Sequence, residues 1–468
     1  MNKRIVILLL AIAMLMTQFI SCSKEESVET VDTFTSETET DYLPVADFKG
    51  YEFTVLGREQ DNTYILVPEY TGVALEEAIY QMNCSVSERY NIILNYVAGA
   101  MESMDEVRTA NLAGDDIYDV VTTHAKHSFT LAQEDLMLDW KTDLPYINLD
   151  AEWWPKSASN EFEIGGHLYT MCGDLSYMSL ARTKCLYFNK AIFDRYDVEY
   201  PYETVKNGEW TFEKMSQYAL MMYDDIGNNG MNIEEDHFGY VTNWWGTPIN
   251  IQFTAGIHSF AKDSDGMLTL DINSERTVNV FNTFFNFTKN EAVFVALADA
   301  GDLDIQQPFI DGRAAFIEFT METAMFFGDM KDDFGILPSP KYDASISDYM
   351  TIVDGSVGLF MVPVLASDPE RTSVILEAMA YYGNEYVIPE FYDNTLSYGA
   401  SRDVESLEML AIIRSSRAFD IAYHSGVSVF AYTGYYLCKN NNNFASLYEN
   451  NELVAKTLIQ QLNMAFSD

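Results

Sequence analysis

The sequence predicts an α/β protein of two domains, each built on a largely parallel sheet. Strand-like and helix-like segments alternate along the chain, the pattern that lays helices over the faces of a parallel sheet. The chain's 468 residues exceed the roughly 250–300 at which a single hydrophobic core stops growing. The composition is globular, with 48% hydrophobic and 14% aromatic residues.

The elements follow in order. Residues 51–56 (YEFTVL) alternate with period two and read as a first strand. Residues 74–90 carry Leu75, Ala78, Ile79, Met82 and Val86 at helical spacing, and 91–97 (NIILNYV) form a second strand. A helix at 101–113 is broken by Gly114-Asp115-Asp116 before a short strand at 117–122. A second block opens with strand-like runs at 168–171 and 185–189, then turns mainly helical at 213–225, 274–288 and 373–382. Thr211 with Glu213 suits a helix start, as N-cap and first-turn acid. Gly312 between Asp311 and Arg313 suits a tight turn before an apolar strand at 314–319, and a helix at 451–466 closes the chain. Asp263-Ser264-Asp265-Gly266 reads as a hairpin turn, and the asparagine run 440–443 as a surface loop.

Residues 1–22 read as an export address. Lys3 and Arg4 precede an apolar run at 5–16, which is signal-peptide length and short of the roughly 20 residues a membrane helix needs. The run ends at Phe19-Ile20-Ser21-Cys22, which resembles a bacterial lipobox with Cys22 as the acylated residue. Residues 23–47 are expected to form a flexible tether, since the stretch up to 41 is rich in Ser, Thr, Glu and Asp and has almost nothing to bury. The expected location is extracytoplasmic, lipid-anchored to the outer face of the cell membrane.

Charge excludes one class of partner. Lys and Arg number 28 against 71 Asp and Glu, a net of −43. Nucleic-acid binding needs cationic surface to neutralise phosphates, so it is not expected here. Cys84, Cys172, Cys185 and Cys438 show no metal-ligand spacing. They fit either one Cys172–Cys185 bridge or buried free thiols.

Five stretches together resemble the extracellular solute-binding proteins of carbohydrate-uptake ABC importers, relatives of maltose-binding protein. They are GGHLY at 165–169 followed by Gly173-Asp174, LYFNKAIF at 186–193, KNGEWTFEK at 206–214, FIDGRAAF at 309–316 and FGILPSPKY at 334–342. The resemblance implies a two-lobed periplasmic-binding-protein-like fold of class II type, with several segments crossing a hinge. It places crossings near 172 and 338, with a possible third near 305. The implied lobes are 48–172 plus 306–338 for the N-terminal one, and 173–305 plus 339–468 for the C-terminal one. It further implies a monomeric substrate-binding lipoprotein that closes on a carbohydrate or similar small polar solute and presents it to ABC permease subunits, touching the membrane through its lipid anchor only. The same fold serving as a ligand sensor for a receptor kinase is the alternative, and a surface carbohydrate-active enzyme is a weaker one.

Sugars present flat apolar faces and rims of hydroxyls, so a receptor needs aromatic platforms beside carboxylates or amides. The pairs Trp153-Trp154 and Trp244-Trp245 are candidate stacking rings, at most one of each pair facing a cleft, with packing as the alternative. Asp174, Tyr177 and Asp354 are candidate polar contacts near the transitions between lobes. Residues 225–236 resemble an EF-hand loop, in which Asp225, Asn229, the Met231 carbonyl and Asp236 are candidate ligands for a structural Ca²⁺. Gly227 stands where a ligand is expected, and Asp236 replaces the bidentate Glu. The function itself requires no cofactor. No HExxH, GxSxG, phosphate-binding or dinucleotide motif is present, and catalysis is not expected.

Overall fold

The computed structural model describes residues 42–99, 104–296, 305–328, 330–398, 404–439 and 442–467. Cys22, the export segment and the expected tether up to residue 41 lie outside the described residues; from 43 to 47 the tether expectation is corrected, because Leu43 is buried in the core and its carbonyl accepts from Arg89. Residues 43–468 form one unit, and no described helix is long and apolar enough to cross a membrane.

The first sheet contains β1 (Tyr51–Arg58), β2 (Ile92–Gly99) and β3 (Val120–His124). Strand β1 is central and parallel to both neighbours. It directs Phe53 and Val55 into the core, where both are buried. Between β1 and β2 runs α1 (Ala74–Tyr90), whose inward face is the predicted set from Leu75 to Val86. It ends at Asn91, whose φ of 51° supplies the left-handed cap. Helices α2 (Met104–Ala113) and α3 (Ala125–Gln133) flank β3.

The second sheet begins with β4 (Lys184–Asn189) and takes in β5 (Phe238–Asn243), β6 (Val293–Ala296), β7 (Ala314–Thr320) and β8 (Phe334–Leu337), in the order β8-β4-β7-β5-β6. Parallel pairs join β5 to β6 and β7, and antiparallel pairs join β4 to β7 and β8. The sheet is thus mixed rather than mostly parallel. Every residue of β4 is buried. Helices α4 (Lys156–Phe162) and α5 (Phe212–Met221) precede and follow β4 in the chain, and α6 (Thr247–Thr254) and α7 (Glu275–Phe287) follow β5. Thr211 caps α5 through its side chain, as its position before Glu213 predicts.

Three expectations about chain tracing are corrected. Residues 306–338 do not join the first sheet, because β7 and β8 hydrogen-bond to β4 and β5. Conversely β9 (Gly358–Met361) returns to the first sheet, antiparallel to β3. Among the described residues no crossing is seen near 305, since β6 and β7 belong to one sheet. The first crossing does start near 172: Met171 still bridges to Phe360, and Thr183 bridges to Val353 before β4 begins. The second runs from β8 to β9. After β9, α8 (Pro369–Tyr382), a π-helical segment at Gly383–Val387 and α9 (Ile388–Tyr398) pack near α1, whereas α10 (Val404–Ser415) packs on β8. The chain ends with α11 (Ile421–Ser425), α12 (Thr433–Lys439) and α13 (Phe444–Ala465).

The apolar interior is not cut cleanly in two. One cluster runs from Phe53 and Val55 through Leu175 and Met178 at the crossing to Phe238 and Ile317 of the second sheet. The far face of the second sheet has a separate core around Phe188, Phe193, Trp210 and Phe316. On the first-sheet side Glu377, a buried carboxylate of α8, accepts the indole N–H of Trp153 at 3.0 Å and of Trp154 at 2.9 Å. Cys172 and Cys185 are buried free thiols, so no bridge joins them. Burial pushes both up to about 12.

Candidate functional site

A cavity of about 360 Å³ opens where the two sheets meet. The topology puts it at the carboxyl ends of β5 and β7, the end at which α/β sheets bind ligands. Because β4 runs antiparallel to β7, its first residue, Lys184, pairs with Thr320 and stands at the same edge. Residues from the first-sheet side (Tyr64), from both crossings (Arg182, Asp354, Ser356) and from the second sheet (Asn243, Trp245, Glu318, Glu322, Phe326) line it.

The polar wall is a set of paired charges. Arg182 forms an ion pair with Glu322, and Lys184 Nζ lies 2.9 Å from Asp354 Oδ2. Tyr64 donates its hydroxyl to Glu322 Oε2 at 2.6 Å, a hydrogen bond from the first-sheet side to the second. Burial raises the Glu322 pKa, and Arg182 and Tyr64 oppose this only in part. Asp354 goes the other way. Burial would raise it, but the Lys184 ammonium and the Ser356 amide outweigh burial and hold it below the usual carboxylate range. Glu318, deeper in the wall, accepts from Tyr240 at 2.8 Å and from Thr247 and Asn250, so both its oxygens are occupied.

The apolar wall is aromatic. Trp245 follows the end of β5 and is 41% exposed. Its ring lies flat against Tyr435, with centroids 4.3 Å apart and planes 18° apart, and Tyr432 meets it edge-on. Asn243 fixes the turn by accepting the Trp245 amide at 3.1 Å. Gly246 is required next, because a Cβ there would lie 2.6 Å from Thr242 Oγ1. Phe326 offers a second open ring, 68% exposed.

Of the residues singled out in the sequence, Trp245 and Asp354 line this cavity. Trp244 sits behind its neighbour, half-buried, edge-on to Tyr435. Trp153 and Trp154 are core residues, held by Glu377 and packed on Tyr381 and Trp140. Asp174 is buried and takes a hydrogen bond from Asn384 at 2.8 Å. Burial raises its pKa, with Arg417 as the main opposing charge. Tyr177 packs between Tyr64 and Phe391. Arg182, Lys184, Glu318, Glu322, Tyr64 and Phe326 went unremarked in the sequence. Glu318 had a visible signal, a lone charge inside the apolar strand AAFIEFT.

The loop at 225–236 folds its two carboxylates onto its own backbone. Asp225 accepts the amides of Asn229 and Gly230 at 3.2 and 3.1 Å. Asp236, fully buried, accepts those of Ile226 and Asn232 at 2.9 and 2.6 Å. Met231 is exposed.

No protein-family model and no curated protein matches the chain. Solved structures do. A sugar transporter of Rhizobium etli in an open conformation matches with a TM-score of 0.57 at 12% identity, over 89% of this chain and 99% of that one. A cyclo/maltodextrin-binding protein complexed with maltotetraose matches with a TM-score of 0.55 at 14% identity, over 89% and 97%. The fold is that of the two-lobed solute-binding proteins. An ABC substrate-binding protein of Listeria monocytogenes in complex with cycloalternan agrees, with a TM-score of 0.54 at 14% identity over 89% and 98%. At these identities the likeness establishes the solute-binding fold, and the chemistry of the cavity has to be read from this chain's own residues.

Proposed function

We propose that the protein is the extracytoplasmic, lipid-anchored substrate-binding component of an ABC importer, and that it captures a neutral carbohydrate or polyol in the cavity between its two sheets. The observation that carries this reading is the pairing of an open tryptophan face with a wall in which both cations are already paired. Trp245 offers a flat apolar platform, and a pyranose has a flat apolar face to lay on it. Hydroxyl groups both donate and accept, so they can insert into the Arg182–Glu322 and Lys184–Asp354 pairs without disturbing the charge balance. An anionic solute would find both cations engaged and three carboxylates nearby, Glu318, Glu322 and Asp354. The volume of about 360 Å³ is at the small end of ligand pockets, roughly 300–1,000 Å³. That favours one or two sugar rings over a long oligosaccharide.

Capture involves no bond making. Tyr64 and Trp245 approach the solute from opposite sheets, and the chain passes between the sheets more than once, which lets them rock without unravelling. Closure over the solute would complete the shape that a permease recognises.

Titration by intrinsic fluorescence and calorimetry against glucose, maltose, maltotriose, ribitol, glycerophosphocholine and free amino acids tests the proposal. Saturable binding of a neutral sugar or polyol, with no product formed, is expected. Turnover of any panel member, or binding confined to charged solutes, overturns it. The anchor is tested separately: Cys22→Ala should move the protein from the membrane fraction to the soluble one.

A further inference from the structure

Away from the cleft, three side chains from three separate stretches of chain converge. Glu161 lies near the end of α4, His258 follows α6, and Asp420 is the N-cap of α11. Each offers one ligand atom, and these atoms all lie within 4.8 Å of one another, the one such group among the described residues.

The carboxylates are held in place by the backbone. Glu161 Oε1 accepts the Ile421 amide at 2.9 Å, and Asp420 Oδ1 accepts the Tyr423 amide at 2.8 Å. Asp420 Oδ2 is directed at His258 Nδ1, 3.0 Å away. That separation suits a shared ion: two ligands about 2.1 Å from a metal, at roughly 90–110° to one another, are about 3.0–3.4 Å apart. The Lys262 ammonium donates to the backbone carbonyl of Glu161 at 3.0 Å and to that of Asn160. The His258 side chain is 37% exposed, leaving a route from solvent.

We propose that Glu161, His258 and Asp420 form a binding site for a divalent transition-metal ion of the zinc class. Two carboxylates balance the charge of the ion, and an imidazole selects a borderline metal over calcium or magnesium, which take oxygen alone. The ion replaces the hydrogen bond between His258 and Asp420 with two coordinate bonds. It thereby ties α4 to the loop after α6 and to the start of α11. Helix α11 also carries Tyr423, whose hydroxyl reaches Asp354 Oδ2 at 3.4 Å in the cleft wall. The site stands apart from the solute reading and does not depend on it.

The test uses the untagged, chelator-stripped protein and zinc chloride, read by calorimetry, by competition with a chromogenic chelator and by thermal melting. One equivalent should bind at micromolar affinity or tighter and raise Tm. His258→Gln, at a partly exposed position, and Glu161→Gln should each weaken binding at least about tenfold, the smallest loss that removing even outer-shell partners brings. Asp225→Asn should leave binding unchanged. Zinc added to crystals should give an anomalous peak among the three side chains. Absence of saturable zinc binding, or binding unchanged in His258→Gln, overturns the proposal; should Glu161→Gln fail to fold, His258→Gln decides.

Discussion

Replacing Trp245 with alanine is the sharpest test of the cleft. The ring is 41% exposed, and a large aromatic residue presents roughly 150–250 Å², so about 60–100 Å² is open to a ligand. A sugar face covering that area gains about 1.5–2.5 kcal/mol at roughly 25 cal/mol per Å². Trp245→Ala should therefore weaken the best-binding neutral sugar about 10- to 60-fold. Trp245→Phe, which keeps a smaller ring, should lose only part of that. Stability should fall by about 1 kcal/mol or less, because the ring rests on Tyr435 at the surface rather than filling the core. Calorimetry gives the affinities and circular dichroism checks the fold. A folded Trp245→Ala protein that binds within twofold of the unaltered one refutes the stacking argument.

The same logic gives the opposite result for the other tryptophan pair. Glu377→Gln leaves one of two buried indole N–H groups unpaired, so urea melts should show a loss of about 1–3 kcal/mol, with sugar affinity unchanged. Asp354 supplies a pH signature. Its folded-state pKa lies below the ordinary 3.8, because the pull of Lys184 and the Ser356 amide exceeds the push of burial. The native state therefore holds this proton more weakly than the unfolded one. Its stabilising contribution is complete above about pH 4 and lost as pH falls toward the folded value. Stability measured from pH 6 to 2.5 should fall less steeply in Asp354→Asn, and parallel curves would count against the ion pair. Cys172 and Cys185, with thiols pushed up to about 12 by burial, should resist iodoacetamide at pH 8 in the native protein while half-buried Cys84 is labelled. Labelling of Cys172 as fast as Cys84 would contradict that burial.

Local elements were legible because their physics is local. The helix predicted at 74–90 is observed at Ala74–Tyr90, since the spacing of Leu75, Ala78, Ile79, Met82 and Val86 leaves one solution and Asn91 stops it. The strand at 314–319 and its Gly312 turn likewise appear, with Gly312 at a φ of 74°. The lobe assignment failed because it rests on which distant strands pair. Nothing within residues 306–338 distinguishes pairing with β1 from pairing with β4, and the choice is made by contacts more than a hundred residues away in sequence. The run at 168–171 looked like a full strand but makes a single bridge, at Met171. It lies at the crossing, where the chain leaves one sheet before joining another.

The site was harder to read than the fold, and the two tryptophan pairs show why. In sequence they are equivalent, each an adjacent pair in an aromatic-rich chain. What separates them is the partner. Trp153 and Trp154 both find Glu377, more than two hundred residues away, and a shared buried acceptor draws both rings inward. Trp245 has an aromatic neighbour, Tyr435, that supports one face and leaves the other open. A tryptophan's role thus depends on whether a distant residue satisfies its N–H or merely props its ring. The more transferable signal was Glu318. An acid in an apolar strand cannot be buried at a bearable cost without partners, and here Tyr240, Thr247 and Asn250 supply them. Such a residue announces that polar structure must be assembled at that end of the sheet, and Glu322, four residues on, reaches the cavity wall by the same strand end.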